Sequence, residues 1–180
     1  MGILESFGGL PTHPLLVHFP IVLVPATFIL ALLAVFWRRY QRGLAIAVLV
    51  TGVIGGGAGF LAGESGEKLQ HRLPNGHDAA IMNHASYGDT AKVLCALLVI
   101  MSIAYCAWVW RAKLGMGDGN AFGRFLSMRW VAVLFAIGII GLSGVATTWV
   151  VLAGHSGATA AWQKTWDSLP PAQPGGGEQG

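Results

Sequence analysis

The chain has 180 residues, 54% hydrophobic and 11% charged, with a mean hydropathy of +0.60. Soluble domains are about a quarter charged, so this composition excludes a soluble domain and points to an integral membrane protein. The formal charge of +3 is small, and the basic residues are accounted for by membrane topology, which leaves no support for a nucleic-acid partner.

Residues 1–11 read as a short, weakly apolar tail through Ile3, Leu4 and Phe7. Residues 12–20 then run T-H-P-L-L-V-H-F-P into the first long apolar stretch. A bilayer crossing takes about 20 apolar residues, and 15–37 supplies one. Thr12 sits near its N-cap and Pro14 in the first turn, where proline is tolerated. Pro20 and Pro25 lie inside the run and remove backbone donors, so a kink is expected near Pro20. No Lys or Arg precedes Arg38, whereas Arg38, Arg39 and Arg42 follow the span. That is the reverse of a secretory signal and predicts a retained first helix with its N-terminus outside.

The second span, 44–62, carries Gly52, Gly56 and Gly59 with Gly55 and Gly63, overlapping small-xxx-small patterns that let helix backbones approach closely. Two readings stay open for Gly52, Gly56 and Gly59: tight helix packing, or room for a flat ligand such as a porphyrin or quinone. The segment 63–90 is polar, with helical character over 64–73, a turn signal at Pro74-Asn75-Gly76, and a helix from His77 into the third span, 91–110. Cys95 and Cys106 are about three helical turns apart, or roughly 16 Å of rise, too far to bridge each other. The segment 112–128 is glycine-rich and reads as a flexible connector. The fourth span, 130–153, repeats the small-residue theme with Gly138, Gly141 and Gly144. Trp162 and Trp166 beyond it suit a helix at the membrane surface, and the Pro/Gly-rich end reads as a disordered tail. The expected architecture is all-α: an antiparallel four-helix membrane bundle over 1–158, then an interfacial helix and tail over 159–180.

Seven basic residues (Arg38, Arg39, Arg42, Arg111, Lys113, Arg124, Arg129) lie between spans 1 and 2 or 3 and 4, with Asp118 the only acid. The opposite side carries Lys68, Arg72, Lys92 and Lys164 against seven acids. Lys and Arg concentrate on the cytoplasmic side, so both termini are expected outside, in the periplasm of a bacterial inner membrane.

All six histidines, His13, His18, His71, His77, His84 and His155, fall on that outer side or at its interface. Histidine within a membrane span needs a partner, and neutral imidazole is the usual nitrogen ligand of haem iron, zinc and copper. His18, one turn into the first span, is the most constrained on this reasoning. The pairs His18 with His84 and His18 with His155 come first as candidate metal or haem ligands, with His13 a further candidate. No pair has the spacing of a local helical metal motif, so a site must be assembled across helices. The other end offers no histidine, so at most one haem, on the outer side, is expected. The spans hold no ionisable group at mid-depth, which argues against an ion pump.

The H-P-x-x-V-H-F-P pattern of residues 13–20 resembles the hallmark of a widespread bacterial family of four-helix membrane proteins, a domain of unknown function. The glycine-rich second span leading into L-A-G-E-S-G-E, His84 near the start of the third span, and A-G-H-S-G after the fourth fit the same pattern. The resemblance covers roughly residues 11–158. It implies a bacterial inner-membrane protein with an outward histidine face, and the occurrence of some members beside redox proteins points towards electron transfer. The Gly-Gly and Tyr-His-Gly continuation typical of the family is replaced here by Ser156-Gly157-Ala158-Thr159-Ala160-Ala161-Trp162.

Three functions follow as alternatives. The first is a haem b-binding electron-transfer subunit, ligated by His18 and His84 or His155, docking a soluble periplasmic redox protein on its acidic face. The second is a non-haem copper, zinc or iron site drawing on His13, His18 and His84 or His155. The third is a non-catalytic anchoring or assembly subunit of a larger membrane complex. No defensible nucleophile–base pairing is present, so no independent catalytic activity is expected.

Overall fold

The computed structural model describes residues 2–116 and 119–169. The expected tail over 170–180 lies outside the described residues. The N-terminal segment forms a small antiparallel hairpin, β1 (Ser6–Phe7) and β2 (Leu10–Pro11). Its two-residue turn is Gly8-Gly9, with φ of 59° and 82°. A tight hairpin turn needs positive φ at both central residues, which glycine supplies without strain. The Thr12 hydroxyl donates to the Ile3 carbonyl at 2.7 Å and ties the hairpin to the helix that follows.

That helix is interrupted at Val17, which nevertheless keeps helical φ and ψ of −62° and −21°. α1 spans Thr12–Leu16 and α2 spans His18–Phe36. The break falls at Val17 because Pro20 cannot donate to the Leu16 carbonyl and its ring crowds that oxygen. The proline acts four residues upstream of itself, so the interruption precedes it. A 3₁₀ turn over Arg38–Tyr40 leads into α3 (Gln41–Gln70), followed by α4 (Ala79–Val109), the short α5 (Ala121–Leu126) and α6 (Arg129–Asp167). The stretch carrying Trp162 and Trp166 continues α6 without a break and is not a separate helix. The described part of the connector after α4 also holds more structure than its composition suggests. Asn120 caps α5 by accepting from the Gly123 amide at 2.7 Å, and the Trp108 indole donates to the Leu126 carbonyl at 3.0 Å.

Among the described residues, four helices are long and apolar enough to cross a bilayer. α2 packs on α3, α3 on α4, α4 on α6, and α6 closes back on α2. Small residues turn inward: Val24, Ala31, Ala34, Ala45, Val48 and Ala146 are buried. Many large ones turn outward, with Phe19 51%, Ile100 64% and Ile137 64% exposed. This is the arrangement lipid selects, since association there depends on close packing rather than on hiding apolar surface. Thr27 donates to Thr51 across α2 and α3 at 2.9 Å, a link of a kind that contributes about 0.6 kcal/mol in membranes.

At 1.5 Å per residue, the 30 residues of α3, 31 of α4 and 39 of α6 measure about 45, 46 and 58 Å. A bilayer core is about 30 Å thick, so these helices run on past it. The overhang is at the histidine-bearing end, where most of the polar segment 63–90 is helix. The short turn between α3 and α4 is tied down at its margins: Arg72 pairs with Glu5 at 2.8 Å, and Lys164 pairs with Asp78 at 2.9 Å. The Lys164 hydrogen bond holds the Asp78 carboxyl below its ordinary range. That tie is therefore present at neutral pH and is lost as pH falls through the lowered value; at this exposure it is weak.

Within the turn, Gly76 lies directly over the Gln70 carbonyl, and a Cβ would overlap that oxygen. Gly76→Ala is expected to cost about 1–3 kcal/mol, read as a lowered thermal unfolding midpoint in detergent.

Candidate functional site

The two hairpins of the bundle repeat one pattern. Sliding α2 onto α4 so that His13 meets His84 brings Pro20 onto Ala91, Val24 onto Cys95, Thr27 onto Leu98, Ala31 onto Ser102 and Ala34 onto Tyr105. Every one of these residues is buried. Sliding α3 onto α6 brings Val48 onto Ile139, Gly52 onto Ser143, Gly55 onto Ala146 and Ser65 onto Ser156, again all buried. The same shift lays Leu61-Ala62-Gly63-Glu64-Ser65-Gly66 on Leu152-Ala153-Gly154-His155-Ser156-Gly157, identical at five of six positions. α2 and α4 lie diagonally in the ring, as do α3 and α6. The halves are thus parallel repeats about an approximate two-fold axis along the bundle, an arrangement known among membrane folds.

Each half contributes a histidine and a seat for it. His13 rests over Gly66, where a Cβ would lie 3.0 Å from its Nδ1. His84 rests over Gly157, where a Cβ would lie 2.9 Å from its Cε1. His13 Nδ1 is 2.8 Å from the Ala62 carbonyl oxygen. A carbonyl only accepts, so Nδ1 carries the proton. His84 Nδ1 is 3.3 Å from Ser156 Oγ. That hydroxyl donates to the Ala153 carbonyl at 3.0 Å, so it accepts from His84, and Nδ1 again carries the proton. Both neutral imidazoles then keep their lone pair on Nε2. The rings meet edge to face across the axis with centroids 5.9 Å apart. Among the described residues no hydrogen bond reaches either Nε2.

The other candidates are elsewhere. His18 and His155 are exposed, as are His71 and His77. The pair at the axis is therefore His13 with His84, and His18 takes no part in it. His13 and His18 are five residues apart, about 140° around a helix, so the two cannot share an inward face. The inward stripe of Pro20, Val24, Thr27, Ala31 and Ala34, extended back two turns, arrives at His13. His155 holds the register position of Glu64 and, like Glu64, lies one residue before a buried serine.

Gly52, Gly56 and Gly59 face neighbouring helices. A Cβ on Gly52 would overlap the Ser102 side chain; on Gly56 it would lie 2.7 Å from the Cys95 carbonyl oxygen and 2.9 Å from Val99; on Gly59, 2.5 Å from Cys95 Sγ. The space a flat ring would need beside them is filled by α4. Next to the His13 seat, Lys92 bridges Glu64, at 3.1 Å, and Glu67, with its chain lying over Gly63. These carboxylates are paired rather than freely solvated. Among the described residues no group of three or more His, Cys, Asp or Glu side chains converges as a metal cage.

A family model described as "predicted membrane protein (DUF2231)" matches residues 9–167. The chain belongs to the DUF2231 family. The match begins at Gly9 and takes in both histidine seats and the whole of α6, so the DUF2231 unit includes both repeats. No curated protein and no solved structure is detectably similar to the chain.

Proposed function

We propose that this DUF2231 protein binds a first-row transition metal ion between His13 and His84, at the outward end of a membrane bundle. The observation that carries the reading is the pair of pinned imidazoles. Both Nδ1 protons are directed to acceptors on the next helix, which leaves each imidazole a lone pair on Nε2 that no hydrogen bond reaches among the described residues. A hydrogen bond from the non-ligating nitrogen is the usual support of a metal-bound histidine, fixing its tautomer and orientation. Copper is the leading ion, since imidazole suits it and it heads the affinity order for divalent metals. Two protein ligands leave the remaining positions to water or to an incoming group, which suits passing a metal or an electron rather than stabilising a fold. By the distribution of Lys and Arg, this end faces the periplasm of a bacterial inner membrane. The partner is then a soluble periplasmic metal or electron carrier.

The haem b reading, with His84 as an axial ligand, is the weaker one, because the glycines that would cradle a ring are packed against α4. One preparation separates the alternatives. Protein purified without chelator and offered copper or zinc is expected to retain about one ion per chain on a desalting column. No stoichiometric metal would sink the proposal and leave the anchoring-subunit reading. A Soret band that shifts on reduction would establish haem in its place.

A further inference from the structure

At the opposite end, a cavity of about 900 Å³ opens between the α2–α3 connection and the end of α4. Arg38, Arg39, Arg42 and Arg111 line it, with Leu33 and Leu44 towards the membrane. Among the described residues none of these arginines is paired with a carboxylate. Instead, Arg39 lies 5.8 Å from the Tyr40 ring centre, Arg42 5.9 Å from Trp110, and Arg111 4.9 Å from Trp108. Stacking holds a guanidinium without neutralising it. Four guanidinium groups around one cavity, with no carboxylate on them among the described residues, repel one another unless an anion joins them.

The depth of the cavity says which anion. Phe36 and Trp37, 76% and 62% exposed, close the apolar part of α2. Tryptophan and tyrosine in such positions sit at the headgroup level. The arginines are thus level with lipid phosphates, and Leu33 and Leu44 continue the wall towards the acyl region. Basic pockets between membrane helices suit anionic headgroups, and arginine's planar fork matches phosphate oxygens.

We infer that this cavity is a binding site for an anionic phospholipid, its phosphate held by Arg38, Arg39, Arg42 and Arg111 and its acyl chains running down past Leu33 and Leu44. The site is independent of the histidine pair.

Native mass spectrometry of delipidated full-length protein tests it, with phosphatidylglycerol and phosphatidylcholine offered at equal concentration. Phosphatidylglycerol is expected to be retained about tenfold better or more, given about 1 kcal/mol per basic residue near a surface. Arg38→Gln/Arg39→Gln/Arg42→Gln should abolish the preference, and Arg42→Gln alone should reduce it severalfold. Lys113→Gln/Arg124→Gln/Arg129→Gln, the same loss of charge outside the cavity, should leave it intact. Equal retention of the two lipids, or an unchanged preference in both cavity variants, would overturn the inference. So would displacement of the lipid by equimolar inorganic phosphate, which would mark a site for free anions.

Discussion

His13→Ala/His84→Ala is expected to lower copper affinity at least 100-fold while leaving the bundle folded. Removing partners of metal ligands alone typically costs 10–100-fold, and this variant removes both ligands. The fold should survive because the Ala62 carbonyl keeps the Ser65 hydroxyl at 2.9 Å, and the Ser156 hydroxyl keeps the Ala153 carbonyl at 3.0 Å. Neither change leaves an orphaned helix carbonyl. His18→Ala/His155→Ala removes as many imidazoles from exposed positions and should leave affinity within twofold. Ser156→Ala should fall between, up to about 10-fold weaker, since it removes one of two acceptors facing the His84 Nδ1 proton, the Ala153 carbonyl being the other, while sparing Nε2. Titration with a competing chelator reads all three. Equal losses in the two histidine double variants would mean nonspecific surface binding.

The second large effect belongs to packing. Gly52→Leu should destabilise the bundle by about 3 kcal/mol or more, or prevent its assembly. Overpacking a tight core costs about 1–3 kcal/mol even for added methylenes, and at Gly52 the first added carbon already overlaps Ser102. Ser102 is fully buried and cannot swing to solvent. Gly141→Leu is the control. Gly141 is exposed with nothing within 4 Å of an added Cβ, and it should change stability by less than about 0.5 kcal/mol. The measurement is the unfolding midpoint in detergent, with the yield of monodisperse protein. A stable Gly52→Leu protein would mean that α3 and α4 do not pack as described, and the room for a flat ligand would return.

Most of the fold is legible in the residues. Four apolar runs, charges confined to their ends, and small residues at three- and four-residue spacing give four close-packed membrane helices. The histidine pair at the axis is less legible, because the argument from burial cost points at His18, which the structure leaves exposed. His18 lies deeper in the apolar run than His13 and so has the stronger claim to a partner. Depth along a helix and direction around it are separate quantities, however, and only direction decides which side chain reaches the axis. The direction is encoded in the stripe of Pro20, Val24, Thr27, Ala31 and Ala34, which leads back to His13 through a two-turn step. The corresponding stripe of Ala91, Cys95, Leu98, Ser102 and Tyr105 leads back to His84.

The internal repeat gives the same answer from another side. Leu-Ala-Gly-x-Ser-Gly occurs at 61–66 and again at 152–157, and in each copy the final glycine forms the seat of one histidine. The copies are separated by unequal connections, a 3₁₀ turn in the first half and a longer segment with α5 in the second, which hides the repeat from any fixed period. The N-terminal hairpin had a plainer signal in Gly8-Gly9, diluted by the weak apolar character of its flanks.

The most direct test of the His13–His84 site is pulsed EPR of the Cu(II)-loaded protein, read for the remote nitrogens of bound imidazole. The wild-type protein should show two equivalent imidazoles, and His13→Ala and His84→Ala should each show one. A spectrum without imidazole, or one that His13→Ala and His84→Ala leave unchanged, would contradict the assignment.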